Sequence, residues 1–179
     1  MIGYAGADLA IALINVLLLG LLFVVGVAIA RMRSLFAIVM LSGIYSLISA
    51  TWFVALDAVD VAFTEAAVGA GISTALLLGA MLLTARTAKP ETRAMRIVPI
   101  LVVIATGAML VYATIDLPAF GDPDSPANTY VGTDYLERTP EEIAVPNIVT
   151  AVLASYRGFD TLGETGVVFT AALAVILLL

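Results

Sequence analysis

Glu65 is the one charged residue in an otherwise apolar stretch, residues 61–85, which is long enough to cross a bilayer as a helix. A carboxylate at the centre of such a helix costs roughly 2.5–3.5 kcal/mol on insertion scales, and such residues usually serve an ion or proton path. The sequence therefore predicts an ion- or proton-handling carboxylate at Glu65. A buried structural hydrogen bond, or snorkelling to the membrane interface, is the alternative.

Two further acids, Asp57 and Asp60, precede Glu65 at the expected start of the same helix. Carboxylates at a helix start favour the helix dipole and often cap the first turn, which is the structural interpretation of this pair. The functional interpretation is an acidic entrance to an ion path. A helix that starts near Asp60 puts Glu65 about 7 Å along its axis, in the outer third of the membrane.

A second group of charges, Arg157, Asp160 and Glu164, precedes the last apolar stretch. The spacings of three and four residues bring such side chains together on a helix. One interpretation is a salt-bridged entry into the last span. The other is a pair of carboxylates lining a cation path, with Arg157 as electrostatic control.

Composition restricts the chemistry further, because the sequence has no cysteine and no histidine. Thiolate metal sites and iron–sulfur clusters are therefore excluded, and haem or zinc is not expected. We expect no cofactor and no tightly bound metal, with transient Na⁺ at Glu65 as the possible ion contact. The net charge of −6 gives no reason to expect a nucleic acid partner.

Long apolar stretches must position these residues. Hydrophobic residues make up 62% of the chain and charged residues 12%, against about a quarter charged in soluble domains. A helix of ~20 residues spans the hydrocarbon core, so the sequence predicts an all-α polytopic membrane protein with about five transmembrane helices. The last of them is long enough only if its helix begins near Asp160 or Thr161. The apolar stretches are 9–30, 34–56, 61–85, 97–115 and 165–179.

Small residues recur beside Glu65 at four-residue spacing in the third stretch, where they form two adjacent columns on one helix face. Small side chains let a second helix approach closely, so this face is expected to pack against protein rather than lipid. The chain is then expected to be stable as part of a hetero-oligomer. The predicted packing residues are Ala62, Ala66, Gly69, Ala70 and Ser73.

Basic residues predict the orientation, since the segments that carry them stay in the cytoplasm. Six of the eight lie in two short segments, with Arg31 and Arg33 in one and Arg86, Lys89, Arg93 and Arg96 in the other. The N-terminus and the acidic, proline-rich segment 116–145 are then outside, the latter as an extended loop. Residues 147–156 are apolar but too short to span. The C-terminus is expected in the cytoplasm.

Two motifs resemble a known pair of membrane modules. Residues 56–80, LDAVDVAFTEAAVGAGISTALLLGA, resemble the D-type module of membrane-bound hydrogenases and its equivalent in the C-terminal part of the large Mrp antiporter chain, a DUF4040-like region. Residues 155–175, SYRGFDTLGETGVVFTAALAV, resemble the E-type module that follows it. The resemblance implies a D-type module at 1–88 with three transmembrane helices and an E-type module at 89–179 with two.

The resemblance further implies a non-enzymatic subunit of a multisubunit Na⁺/H⁺ antiporter in the cell inner (plasma) membrane, related to the proton-pumping arm of respiratory complex I. Other membrane subunits are its implied partners, and Na⁺ and H⁺ its transported ions. The alternatives are a hydrogenase-type complex and a purely structural adaptor between pump subunits. The D and E modules are expected to form a separate polypeptide here. The acids that match the family motifs are Glu65, Asp57, Asp60, Asp160 and Glu164.

Overall fold

A computed structural model describes residues 2–84, 86–88, 93–119 and 122–178, without the side chains of 2–8, 93–96 and 178. These residues are mainly helical, with three π-helical segments, in which hydrogen bonds join residues five apart, among the α-helices. The order is α1 Ile2–Arg31, α2 Leu35–Ala55, α3 Val59–Thr64, π1 Glu65–Ser73, α4 Thr74–Ala80, α5 Arg93–Ala113, π2 Ala127–Gly132, α6 Thr133–Glu142, α7 Ile148–Ala151, π3 Val152–Tyr156 and α8 Gly158–Leu178.

Among the described residues, four helical stretches are long and apolar enough to cross a membrane: Leu9–Arg31, Leu35–Ala55, Val59–Ala80 and Gly158–Leu177. The expected all-α polytopic fold is therefore confirmed. The last stretch qualifies because its helix begins at Gly158, two residues before Asp160. The expected span at 97–115 is the short one, since its apolar helical part, Ile97–Ala113, would extend only about 26 Å.

The chain divides into two compact units, Met1–Ile97 and Val98–Leu179. In the first unit α2 is central, because it packs against α1 and also against α3, π1 and α4. The indole N–H of Trp52 in α2 donates a 2.8 Å hydrogen bond to Asn15 Oδ1 in α1. This interhelical hydrogen bond ties the two helices together at a partly buried position.

The turn between α2 and α3 depends on Asp57, which has a left-handed backbone with φ of 59°. Its N–H donates to the Val54 carbonyl at 3.1 Å, and the N–H of Ala58 donates to the Phe53 carbonyl at 2.9 Å. This is the Schellman pattern that ends a helix. The N-cap of α3 is Ala58, without a side-chain cap. Capping of the next helix by Asp57 is therefore wrong, because Asp57 ends α2. Asp60 does lie in the first turn of α3, where an acid favours the helix dipole.

The described parts of the two basic segments, residues 31–33 and 86–88, lie at one end of the first unit. Ser34 and Thr87 form an isolated antiparallel β-bridge. The Leu35 N–H donates to the Arg86 carbonyl at 3.1 Å, and the Ala88 N–H donates to the Arg33 carbonyl at 2.9 Å. The chain after α4 has thus returned to the end at which α2 begins. Lys89 lies outside the described residues, as do the side chains of Arg93 and Arg96.

The acidic segment of the second unit is not an extended loop, so that expectation is wrong. Residues 127–142 form π2 and α6. Pro126 precedes the first turn, where a missing N–H costs nothing, and Pro140 lies near the end of α6. Opposite charges four residues apart support the helix between them. The following apolar segment is helical but short, α7 and π3 together, as its length predicted.

Candidate functional site

Glu65 is the first residue of π1, within the third membrane-spanning stretch. The helix that carries it begins at Val59, so Glu65 lies about 9 Å along the axis from that end. Its side chain is half-buried, whereas Asp57 and Asp60 are exposed at the helix start. The structure therefore separates the three acids by depth: two lie at the end of the helix bundle and one lies within it.

The packing around Glu65 is closest at Gly69. A Cβ atom added to Gly69 would lie 2.5 Å from Ser46 Oγ and 2.9 Å from Glu65 Oε1. The Ser46 hydroxyl of α2 and the Glu65 carboxylate therefore border the same small space, which exists because residue 69 has no side chain. A carboxylate and a hydroxyl that share such a space are suited to accept a proton or to offer two oxygens to a hard cation.

A second close contact lies five residues further along, at Thr74. A Cβ on Gly43 of α2 would lie 2.7 Å from Thr74 Oγ1, and the Thr74 hydroxyl donates to the Gly69 carbonyl at 3.4 Å. Glycines on both helices thus permit the approach. Gly43 was missed by sequence reasoning. Its signal is the run of small residues in α2 at spacings of three and four, namely Ser42, Gly43, Ser46, Ser49 and Ala50.

The π-helical conformation of residues 65–73 distinguishes this stretch from an ordinary membrane helix. Such segments are rare and occur often at functional sites. One face of π1 and its neighbours is buried or half-buried, while Phe63, Val68 and Ile72 are 51–76% exposed. The residues on the less exposed face are Ala62, Ala66, Gly69, Ala70 and Ser73.

The second group of predicted site residues lies where π3 meets α8. Arg157 breaks the helix and pairs with Asp160, as their three-residue spacing predicts. The side chains are 63% and 55% exposed, so the pair contributes little to stability. The Thr161 hydroxyl donates to the Leu153 carbonyl at 2.7 Å across the same break. Glu164 lies one turn further along α8 and is exposed.

Sequence reasoning missed a further group, which we call the Tyr156 cluster: Tyr135, Arg138, Glu142 and Tyr156. Arg138 binds Glu142 at 2.8 Å, and the Tyr156 hydroxyl donates to Glu142 Oε2 at 2.7 Å. The two tyrosine rings stack with centroids 4.9 Å apart. The signal in the sequence was the four-residue spacing of charges within 134–142, which the prolines obscured.

Hydrogen bonds within the Tyr156 cluster change the pKa values of its members. The hydrogen bond from Tyr156, followed by the one from Arg138, lowers the pKa of Glu142. The same bond to Glu142 raises the pKa of Tyr156. Bonds to Glu142 and Asp134 raise the pKa of Arg138. The cluster therefore links α6 to π3, the element that precedes α8.

Two known families match this chain in sequence order. MbhD, the family of the D subunit of MBH, matches residues 19–86, which include Glu65 and its packing face. MbhE, the family of the E subunit of MBH, matches residues 92–179, which include the Tyr156 cluster and Asp160. The chain thus carries an MbhD domain followed by an MbhE domain. The resemblance found in the motifs is confirmed, and the chain is a multi-pass membrane protein.

Known relatives of this MbhD–MbhE chain are larger proteins. A curated relative from Rhizobium meliloti (strain 1021), described as the probable A/B subunit of a K(+)/H(+) antiporter, is 31% identical over a 158-residue alignment that covers 84% of this chain and 15% of the relative. A chain in the structure of the Mrp complex from Dietzia sp. DQ12-45-1b superimposes with a TM-score of 0.70 at 27% identity, covering 97% of this chain and 21% of that one. The MbhD–MbhE chain thus spans about a fifth or less of the length of these relatives.

The close contact at Gly69 generates a first prediction. Gly69→Ala puts a methyl group within 2.5–2.9 Å of Ser46 and Glu65. We therefore expect the free energy of unfolding to fall by about 1–3 kcal/mol, as it does at other overpacked sites. The measurement is the Tm of the purified chain in detergent. Gly79→Ala is the matched control, because a Cβ there meets nothing within 4 Å. Equal Tm values for both variants would contradict the close approach of α2 and π1.

The Tyr156 cluster generates a pH prediction. Because the folded pKa of Glu142 is lowered, its stabilising effect is present above its ordinary value of 4.5 and is lost as the pH falls through the lowered pKa. Because the folded pKa of Tyr156 is raised, its contribution is present below 10.0 and is lost as the pH rises through the raised pKa. The cluster should therefore persist across the neutral range.

The alkaline limb is measurable by the ultraviolet absorbance of phenolate, with Tyr156→Phe assigning the signal. Glu142→Gln removes the charged acceptor, so Tyr156 should ionise at a lower pH than in the wild type. Glu141→Gln, which changes an exposed neighbour of the cluster, is the control and should leave the titration unaltered. If Tyr156 titrates at the same pH in the Glu142→Gln variant as in the wild type, the hydrogen bond to Glu142 is not the cause of its raised pKa.

Proposed function

We propose that this chain is a non-enzymatic membrane subunit of a multisubunit cation/proton antiporter and that Glu65 handles the transported ion. The observation that carries the proposal is the half-buried Glu65 carboxylate in a spanning helix, beside the Ser46 hydroxyl. The antiporter and Mrp relatives support the transport role. Residues 1–88 form the proposed D module and residues 89–179 the E module.

Exchange follows from the cost of a bare charge in a membrane. An ionised Glu65 is costly in a low-dielectric site, and either a proton or a bound cation reduces that cost. The two ions therefore compete for one carboxylate, which is what antiport requires. The Ser46 hydroxyl, next to the same space, supplies a second oxygen to the cation.

The exposed charges have a supporting role in this proposal. Asp57 and Asp60 attract cations to the end of the helix that carries Glu65. In the second unit, Asp160 and Glu164 do the same at the start of α8, and Arg157 limits the local negative charge by pairing with Asp160. Na⁺ is the cation implied by the motif resemblance, and K⁺ is the cation in the name of the Rhizobium relative.

The proposed working form is a hetero-oligomer with other membrane subunits, as the Mrp relative is a complex. Its proposed orientation has the N-terminus outside and the C-terminus in the cytoplasm, from the basic segments. The second candidate is the same pair of modules in a hydrogenase-type complex, which the MBH origin of both matching families favours. A structural adaptor is the third.

Replacement of Glu65 tests the proposal. Glu65→Gln keeps the shape and the hydrogen-bonding capacity but removes the charge, so cation-driven proton exchange should fall close to background. Glu65→Asp should retain part of the activity with a changed pH dependence. The measurement is Na⁺- and K⁺-driven proton movement in membrane vesicles that contain the host complex, with the assembly of that complex checked for each variant.

The control is Glu137→Gln, which removes an exposed acid of α6 and should exchange as the wild type does. If the Glu65→Gln complex assembles and exchanges ions at the wild-type rate across pH, the role of the carboxylate is structural. The adaptor would then be the preferred function.

Single cysteines test the orientation, since the natural chain has none. Glu141→Cys and Thr87→Cys both change exposed residues outside the four spanning stretches. In intact cells an impermeant thiol reagent should label the cysteine at 141, whereas the cysteine at 87 should react only after permeabilisation. The opposite labelling pattern would invert the proposed topology.

A further inference from the structure

A cleft of about 550 Å³ opens at the basic end of the first unit. It is chemically two-sided. Its apolar lining comes from the start of α2, the end of α4 and the turn that follows α4, and its polar lining includes Thr84 and Arg86. The apolar residues are Phe36, Leu78, Met81 and Leu82. Leu82 is 87% exposed, so exposed apolar surface lies beside the arginine.

Backbone hydrogen bonds hold this cleft in shape. The Arg86 carbonyl accepts the N–H of Leu35, and the Arg33 carbonyl accepts the N–H of Ala88. Arg86 is therefore anchored against the start of α2. An anchored arginine loses less conformational freedom on binding an anion than one on a free loop does.

Among the residues that the structure describes around the cleft, the charges have one sign. Arg31 and Arg33 precede α2, and Arg86 lies in the cleft itself, whereas residues 31–36 and 81–88 contain no acid. The ligand that complements this surface carries a negative headgroup and an apolar tail. Inorganic phosphate would leave the leucine wall uncovered, and an uncharged lipid would leave Arg86 unpaired.

We propose that the cleft binds one anionic phospholipid, with its phosphate on Arg86 and Thr84 and an acyl chain along Phe36, Leu78 and Leu82. The bound lipid covers the seam where the chain leaving α4 meets the start of α2. This site is separate from the Glu65 region, and its occupancy does not depend on which ion the complex transports.

The test uses the full chain purified in detergent and native mass spectrometry to count bound lipids. Dioleoylphosphatidylglycerol should bind as one saturable molecule, and dioleoylphosphatidylcholine should not. Inorganic phosphate should not displace it. Arg86→Gln should weaken binding by about fivefold, the effect of one basic residue at a membrane surface.

Arg31→Gln is the matched control, because it removes the same charge from the same end but does not line the cleft. It should weaken binding less than Arg86→Gln does. Leu82→Glu alters an exposed wall residue, so the fold should tolerate it, and it should abolish binding. If Arg86→Gln lowers the Tm of the lipid-free chain, the binding measurement on Leu82→Glu alone tests the proposal. Equal weakening by Arg31→Gln, equal binding of phosphatidylcholine, or tight binding to the Leu82→Glu chain would each overturn the proposal.

Discussion

The close approach of α2 and π1 determines where the carboxylate of Glu65 lies. In a membrane the hydrophobic effect does not drive helices together, so their association depends on packing and polar contacts. Here Gly43 meets Thr74, and Gly69 meets Ser46, at distances that leave no room for a methyl group. Larger side chains would separate the helices and leave Glu65 facing hydrocarbon. The position of the ionisable group thus follows from two glycines.

The second unit is organised by different interactions. Its polar contacts are exposed, and each is weak in water. They share members, however: Glu142 binds both Arg138 and Tyr156, and Tyr156 also stacks on Tyr135. A shared network orders its members together, because each contact reduces the freedom that the next one must remove. The acidic helix is in this way joined to the segment before α8.

The chain buries little apolar surface within itself. Among the described residues, the hydrophobic side chains that are almost fully buried are few, and long stretches of α5 and α8 are exposed on every side. In a bilayer such surfaces contact lipid or neighbouring helices. This agrees with a chain that corresponds to a small part of larger relatives and that works, as we propose, among other subunits.

The sequence by itself determined the class of the protein and most of its helices. Helix length is set by membrane thickness, so apolar stretches alone located four spans and an intramembrane Glu65. The tertiary structure decided the rest. It showed that Asp57 ends α2 through a left-handed backbone and that α6 is helical although Pro140 lies within it. Which glycine meets which side chain depends on distant segments, and spacing along one helix carries no information about its neighbour.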